Sequence, residues 1–287
     1  MKHSVFAKIA TLALTLVLIL SLAACGKKSD SGVKILVPND TTNEARALLL
    51  LQENGIITLK DGAGITATKN DIVDNPYNVE IVEAEAAQLP SLLADAEYAV
   101  INSNYAINAG LNPVKDSLLI EGSASAYANI LAVKEGTENT DAVKALKAAL
   151  ESQQVVDYIN QKYDGSVVSV VTNPTDGYDA SVNYDALNGT TISIAASPTP
   201  HAEILEVAKT ILAAKGITLD IQSYNDYVVP NTVVEDGTVD ANYFQHLPYL
   251  EDFNKEQGTH IVSIATIHVE PMGLYGGKQT SLDALTK

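Results

Sequence analysis

The chain has 287 residues, of which 46% are hydrophobic and 18% charged, and 35 acidic side chains outnumber 18 basic ones. This composition is typical of a globular protein, and the length fits one large domain or two modest ones. The formal net charge of −17 argues against nucleic-acid binding, because a phosphate backbone is bound by Lys and Arg.

Residues 1–24 have the features of a secretory signal peptide. A basic start precedes the apolar stretch 9–22, which is shorter than the ~20 residues that a membrane span needs. Small residues then lead to Cys25, the only cysteine in the chain, as in a bacterial lipobox. We therefore expect a lipidated Cys25, a polar leash over 25–32, and a location on the extracytoplasmic face of the cell membrane. The alternative is an ordinary buried cysteine.

Strand-like and helix-like patterns alternate from residue 33, which predicts an α/β fold. Thr41, Thr42 and Asn43 are candidate N-caps for the first helix, and Gly55 lies at its C′ position. The predicted strands of this half are 33–37, 79–82, 98–101 and 127–133. The predicted helices are 45–52, 89–95, 141–150 and 154–163.

Residues 172–188 contain Pro, Gly, Asn and Asp throughout and show no apolar period, which predicts a linker. The alternation then resumes with a strand over 191–196 and a helix from Pro200 to the stop signal Gly216. The apolar stripe of that helix is formed by Ile204, Leu205, Ala208, Ile211 and Leu212. Later predicted elements are a strand over 217–221, a turn at 236–237, a helix over 249–257 and a strand over 260–267.

The motifs GxSxG, GxGxxG, the P-loop and HExxH are absent, and no two histidines have the i, i+4 spacing of a helical metal site. We therefore expect no catalytic residues, no metal and no cofactor. Arg46 is the only arginine, and its guanidinium is suited either to two-pronged carboxylate binding or to a solvated helix face. An aromatic cluster is typical of a core or of an apolar pocket wall. Its members are Tyr227, Tyr243, Phe244 and Tyr249, with His246 nearby.

Six sequence strings resemble the methionine-binding lipoprotein family (NlpA type) of ABC importers. These strings are 38–51, 100–106, 127–129, 225–231, 240–250 and 270–275. The resemblance covers nearly all of the mature chain. It implies a two-lobed α/β clamp of the periplasmic-binding-protein type (type II-like), in which each lobe is a mostly parallel sheet with flanking helices and the ligand lies in the cleft.

The order of the segments is inverted relative to the family, so the sequence resembles a circularly permuted member. Residues 172–188 would join the usual termini. We assign residues 33–120 to the lobe equivalent to the family's second lobe and 121–287 to the lobe equivalent to its first. Alternatively, Lys287 is an artificial end of a longer tandem protein.

The family's lobes are connected by two crossovers, and the permuted order is expected to cut one of them. The crossover near 119–127 would survive, whereas the other would become the free ends at Val33 and Lys287. We therefore expect looser lobes and weaker binding, because affinity falls with the fraction of closed protein.

The resemblance also implies a set of ten ligand-binding residues. Arg46 would bind the ligand carboxylate, and Asn102 and Asn129 would hydrogen-bond its amino-acid head group. Four residues would enclose the thioether: Tyr227, Phe244, His246 and Tyr249. Three further residues would lie next to the ligand: Asn43, Asn104 and Glu270.

These observations predict a monomeric, lipid-anchored substrate-binding protein that is not an enzyme. It would deliver methionine, or a methionine-containing peptide, to an ABC permease and its ATPase. One alternative is a binding-only sensor or adhesin that has kept the family's fold. Another is an exported α/β enzyme that uses His246 with Asp226 or Asp240 for proton transfer.

Overall fold

Two β-sheets organise the computed structural model of this protein, which describes residues 32–122 and 127–286. Residues 33–287 form one compact unit that contains both sheets. The predicted signal peptide, Cys25 and the leash up to residue 31 lie outside the described residues. Within the described part, no helix has the length and apolar character that a membrane crossing requires.

The first sheet has five strands, and helices lie between those of its strands that run parallel. The strands are Val33–Pro38 (β1), Val79–Ala84 (β4), Tyr98–Ile101 (β5), Ser117–Ile120 (β6) and Gly273–Gly276 (β13). Their order is β4–β1–β5–β13–β6. β1 pairs parallel with β4 and β5, whereas β13 pairs antiparallel with β5 and β6. A separate two-stranded sheet consists of Thr58–Leu59 (β2) and Ile72–Asp74 (β3).

The second sheet has six strands in the order β10–β9–β11–β7–β12–β8. They are Asn129–Lys134 (β7), Val168–Ser169 (β8), Thr191–Ala196 (β9), Thr218–Ser223 (β10), Ala241–His246 (β11) and Ile261–Val269 (β12). β9 pairs parallel with β10 and β11, and the other pairings are antiparallel. The α/β class is thus confirmed, but the sheets are mixed. β7 and β13 enter directly from the other sheet, so no helical crossover forces them to run parallel.

Each predicted helix is present, although the one predicted over 89–95 is α-helical only over 89–92. The helices are Thr41–Glu53 (α1), Leu89–Leu92 (α2), Ser103–Asn108 (α3), Pro113–Asp116 (α4), Asp141–Leu150 (α5), Gln153–Tyr163 (α6), Tyr184–Leu187 (α7), Glu203–Ala213 (α8), Val229–Glu235 (α9) and Leu247–Gln257 (α10). Of these, α3, α4, α7 and α9 were not predicted. The whole predicted stripe of α8 is buried. The N-cap of α1 is Asp40 rather than Thr41, Thr42 or Asn43, because the Asp40 carboxylate accepts the Asn43 N–H at 3.0 Å.

Two chain crossings connect the sheets. The chain leaves the first sheet after Ile120, enters the second at Asn129, and returns between Val269 and Gly273. The prediction that only one crossover survives is therefore wrong, and the expected loosening of the lobes loses its premise. The assignment of 121–287 to a single lobe needs correction at its end, because β13 lies in the first sheet. The equivalence of each lobe to a lobe of the family stays a prediction.

Residues 172–188 pack on the second sheet's helices instead of forming a free linker. The rings of Tyr178 and Tyr184 lie edge to face with centroids 5.5 Å apart and pack against the core there. Gly177 has a φ of +101°, and a Cβ at this position would lie 2.7 Å from Cγ2 of Ile211. The polar composition hid this packing, because two tyrosines at irregular spacing anchor the segment.

Candidate functional site

All ten sequence-predicted binding residues line one cavity, together with Ser103, His201 and Gln245. The cavity measures about 350 Å³, counting any part that is open to solvent. The structure therefore brings the predicted residues together, and their role as ligand contacts stays a prediction.

The carboxyl ends of the parallel strands bring these side chains together. Asn43, Asn102 and His201 follow the ends of β1, β5 and β9, and β11 ends at His246. In open α/β sheets, ligands bind outside the carboxyl ends of the strands. A register shift in β11 between Tyr243 and Gln245 takes Phe244 out of the regular strand pairing, and Phe244 also lines the cavity.

Arg46 is buried and its guanidinium is held from two sides. Nε donates to the two carboxylate oxygens of Glu121 at 3.0 and 3.1 Å, and Nη2 donates to the Glu270 carbonyl at 2.8 Å. The ring of Tyr127 lies 4.5 Å from Cζ of Arg46. Nη1 takes no part in the hydrogen bonds between described residues, so this nitrogen can donate to a further acceptor. Glu121 and Glu270 lie on the two crossings, and Arg46 is bonded to both.

Asparagine amides next to Arg46 form an ordered chain of hydrogen bonds. Nδ2 of Asn102 donates to Oδ1 of Asn43 at 2.8 Å, and Nδ2 of Asn43 donates to Asp40 at 2.8 Å. Oδ1 of Asn102 is buried and accepts no hydrogen bond from the described residues. Buried polar atoms are normally paired, so this oxygen is ready to accept an N–H from a bound molecule.

The opposite wall of the cavity is aromatic. The ring centroid of Tyr227 lies 5.9 Å from that of Phe244 and 5.8 Å from that of Tyr249. The Tyr227 hydroxyl donates to Oδ1 of Asn104 at 2.7 Å, a bond that links the two sides of the cleft. Burial raises the pKa of Tyr227 well above its usual value, so the hydroxyl stays a neutral donor. Ring faces and edges of this kind suit a flexible apolar or thioether side chain.

Two buried histidines lie on either side of the Glu270 carboxylate. Nε2 of His268 lies 2.7 Å from Oε1 of Glu270, and Nδ1 of His268 is hydrogen-bonded to the Tyr243 hydroxyl. Nε2 of His201 lies 2.8 Å from Oδ1 of Asn129 and 3.2 Å from Oε1 of Glu270. Burial lowers the pKa of His201 and of His268 to about 3, so both imidazoles are neutral at pH 7. Burial also raises the pKa of Glu270.

The acids proposed for the enzyme alternative lie outside this cavity. The Asp226 carboxylate accepts the backbone N–H groups of residues 228 and 229 at 2.8 Å at the start of α9. The Asp240 carboxylate accepts the N–H of Ser193 at 2.7 Å. Neither acid lines the cavity with His246. The structure therefore gives these proton-transfer pairs no support, and hydrogen bonds to backbone N–H groups hold both carboxylates where they are.

Comparison with known families identifies the chain. The sequence profile of the NlpA lipoprotein family matches residues 27–171 and 192–287. The chain belongs to the NlpA lipoprotein family. The interval between the two matched segments contains residues 172–188, the segment predicted to join the usual termini.

Named relatives match one part of this NlpA family member. The D-methionine-binding lipoprotein MetQ of Salmonella typhimurium is 45% identical over 139 residues, which cover 48% of this chain and 51% of that protein. The membrane lipoprotein TpN32 of Treponema pallidum is 45% identical over 139 residues, covering 48% of this chain and 52% of that protein. The chain thus spans about half the length of the curated relatives it matches. A nutrient-binding protein from Burkholderia cenocepacia bound to methionine is 46% identical, with a TM-score of 0.47 over 50% of this chain and 61% of that one.

Sequence reasoning missed four residues of this NlpA site: Glu121, Ser103, His201 and Gln245. Glu121 gave no signal, since it lies 75 positions from Arg46 along the chain. At the level of sequence, His201 was tested only for the spacing of a helical metal site. Its contacts in the structure are Asn129 at the start of β7 and Glu270 just after β12. Gln245 belongs to a buried amide cluster in which its Nε2 donates to Oδ1 of Asn231 at 2.7 Å.

Proposed function

We propose that this NlpA family member is a lipid-anchored, extracytoplasmic substrate-binding protein that captures methionine for an ABC importer. The observation that carries this proposal is the polarity of the cavity. One end presents a guanidinium and the unpaired side-chain oxygen of Asn102, and the other end is aromatic. A free amino acid with a thioether side chain has the same division.

At the polar end, Nη1 of Arg46 and Oδ1 of Asn102 are complementary to a carboxylate and an ammonium group. Both side chains are buried, at 4% and 6% exposed respectively. Hydrogen bonds to charged groups contribute about 1.5–3 kcal/mol each. Occupation of this end would also satisfy the Asn102 oxygen, which has no partner among the described residues.

At the aromatic end, Tyr227, Phe244 and Tyr249 would surround the ligand side chain. A sulfur–ring contact contributes about 0.3–1.5 kcal/mol. Discrimination against a ligand that has a methylene in place of sulfur is then about 2- to 12-fold per contact. The polar end would supply affinity, and the aromatic end would supply the choice of side chain.

The remaining parts of the proposal concern the assembly. Cys25 would carry the lipid anchor and hold a monomer on the extracytoplasmic face of the cell membrane. Closure of the two lobes around the ligand would present both to a permease driven by its ATPase. The printed names of relatives, which include a D-methionine-binding lipoprotein, support this role. We further propose that the two family-matched segments stand in permuted order, joined by residues 172–188.

Isothermal titration calorimetry tests the proposed ligand. The full chain is purified in detergent, freed of small molecules by unfolding and refolding, and titrated with L- and D-methionine and a methionine dipeptide. Norleucine is the matched control, since it replaces the sulfur by a methylene. N-acetylmethionine lacks the ammonium group that would meet Asn102. We expect one methionine per chain and weaker binding of both controls; no heat with any methionine compound, or equal affinity for N-acetylmethionine, would refute the proposal.

A further inference from the structure

We infer that His201, His268 and Glu270 form a binding site for a divalent transition-metal ion of the zinc class on the inner wall of the cavity. This inference goes beyond the proposed function, because a metal ion is a second ligand. The two sites share only Glu270, and the residues assigned to methionine's carboxylate and side chain are not metal donors. The site rests on three buried side chains whose donor atoms lie close together.

The distances between the donor atoms suit one small ion. Each residue offers one donor atom, and the three atoms all lie within 4.8 Å of one another. Oε1 of Glu270 lies 2.7 Å from Nε2 of His268 and 3.2 Å from Nε2 of His201. Around a tetrahedral zinc ion with bonds of about 2.0–2.2 Å, neighbouring donor atoms lie roughly 3.3–3.6 Å apart. Moving the His268 and Glu270 donor atoms apart by a further ~0.6–0.9 Å therefore makes room for the ion.

The donor types also suit such an ion. Two imidazole nitrogens and one carboxylate oxygen form a known three-ligand zinc set, and this kind of set leaves a fourth position open. His201 and Glu270 line the cavity, so the open position faces the cleft and the cleft gives the ion its entry path.

A partner outside the donor set holds His268 in place. The Tyr243 hydroxyl is hydrogen-bonded to Nδ1 of His268, and both side chains are fully buried. Histidines that bind metals usually have such a hydrogen bond from the second ring nitrogen, and its loss lowers metal affinity by about 10- to 100-fold. Without a metal, Glu270 is hydrogen-bonded to the His268 imidazole, and His201 is hydrogen-bonded to Asn129. The fold therefore does not depend on the ion, and metal binding can be measured directly.

The test uses the tag-free full chain in detergent. After treatment with a chelator, the protein is equilibrated with Zn²⁺, desalted and analysed for metal by mass spectrometry. In parallel, Co²⁺ is titrated and its visible absorption recorded, since tetrahedral Co²⁺ absorbs far more strongly than hydrated Co²⁺. We expect one zinc ion per chain and a saturable cobalt band.

Variants locate the bound ion. We expect His268→Gln and Glu270→Gln to lower metal affinity by more than the ~10- to 100-fold that loss of the Tyr243 partner costs in Tyr243→Phe. His260→Gln is the matched control, because His260 is an exposed histidine beside another glutamate, Glu235, with Nδ1 3.3 Å from its carboxylate. This variant should bind zinc as the unchanged protein does.

Two results would overturn the inference: unchanged protein that retains no zinc and gives no cobalt band, or His268→Gln that binds both ions as tightly as before. The first result needs no variant, so misfolding of a variant cannot obscure it. Methionine calorimetry in the presence of a chelator separates this inference from the proposed function. Methionine binding without zinc binding refutes only the metal site, and zinc binding without methionine binding refutes only the methionine role.

Discussion

Replacement of Arg46 by alanine is the sharpest perturbation of the polar end of the cavity. Arg46 is buried, and the proposed function assigns its Nη1 to the ligand carboxylate. Removing one partner of a buried charged pair costs about 2–5 kcal/mol of binding free energy, which is about a 30- to 4,000-fold loss of affinity. Tyr249→Ala removes one ring contact worth about 0.3–1.5 kcal/mol. It should weaken methionine binding by only about 2- to 12-fold and relax the choice between methionine and leucine.

Calorimetry of both variants with methionine and leucine measures these losses. Because Arg46→Ala also leaves the Glu121 carboxylate without its partner, the titrations are run well below the melting temperature found by circular dichroism. Arg46→Lys is the matched control: it keeps the positive charge but cannot donate two parallel hydrogen bonds to one carboxylate. We expect it to lose less affinity than Arg46→Ala. Equal losses for Arg46→Ala and Tyr249→Ala would refute this division of roles.

Two further substitutions test contacts that the structure revealed. Tyr227→Phe removes the 2.7 Å hydrogen bond to Asn104 but keeps the ring. A buried acceptor left unpaired costs about 1–3 kcal/mol, so calorimetry should show weaker methionine binding with an unchanged preference over norleucine; a changed preference would argue against it. Gly177→Ala should lower the urea-derived free energy of unfolding by about 1–3 kcal/mol more than Gly189→Ala, because its Cβ would lie 2.7 Å from Ile211 whereas Gly189 has open space. Similar losses in the two variants would show that 172–188 is not packed as described.

The parts of the fold that the sequence predicts are those with a local period. The apolar stripe of α8 and the positive φ of Gly55 follow from residues within one or two helical turns. By contrast, β13 is a four-residue strand whose partners lie far away in the chain. No local pattern reveals that it closes the first sheet, and the second crossing was missed for the same reason.

The candidate site shows the same limit at the level of single residues. The ten predicted residues were found through resemblance in long strings, and they line one cavity. The carboxylate that neutralises Arg46 could not be predicted, since ion pairs across 75 positions leave no trace in spacing. The convergence of His201 and His268 on Glu270 was equally hidden, because it depends on which strands end side by side.

Mass spectrometry of the small molecule released from gently purified full chain tests the central claim most directly. The protein is purified without unfolding, denatured, and the released compounds are identified. The proposed function predicts methionine, or a methionine-containing peptide, at close to one molecule per chain. Release of a chemically different compound without methionine would contradict it, as would an empty protein that also gives no heat with methionine.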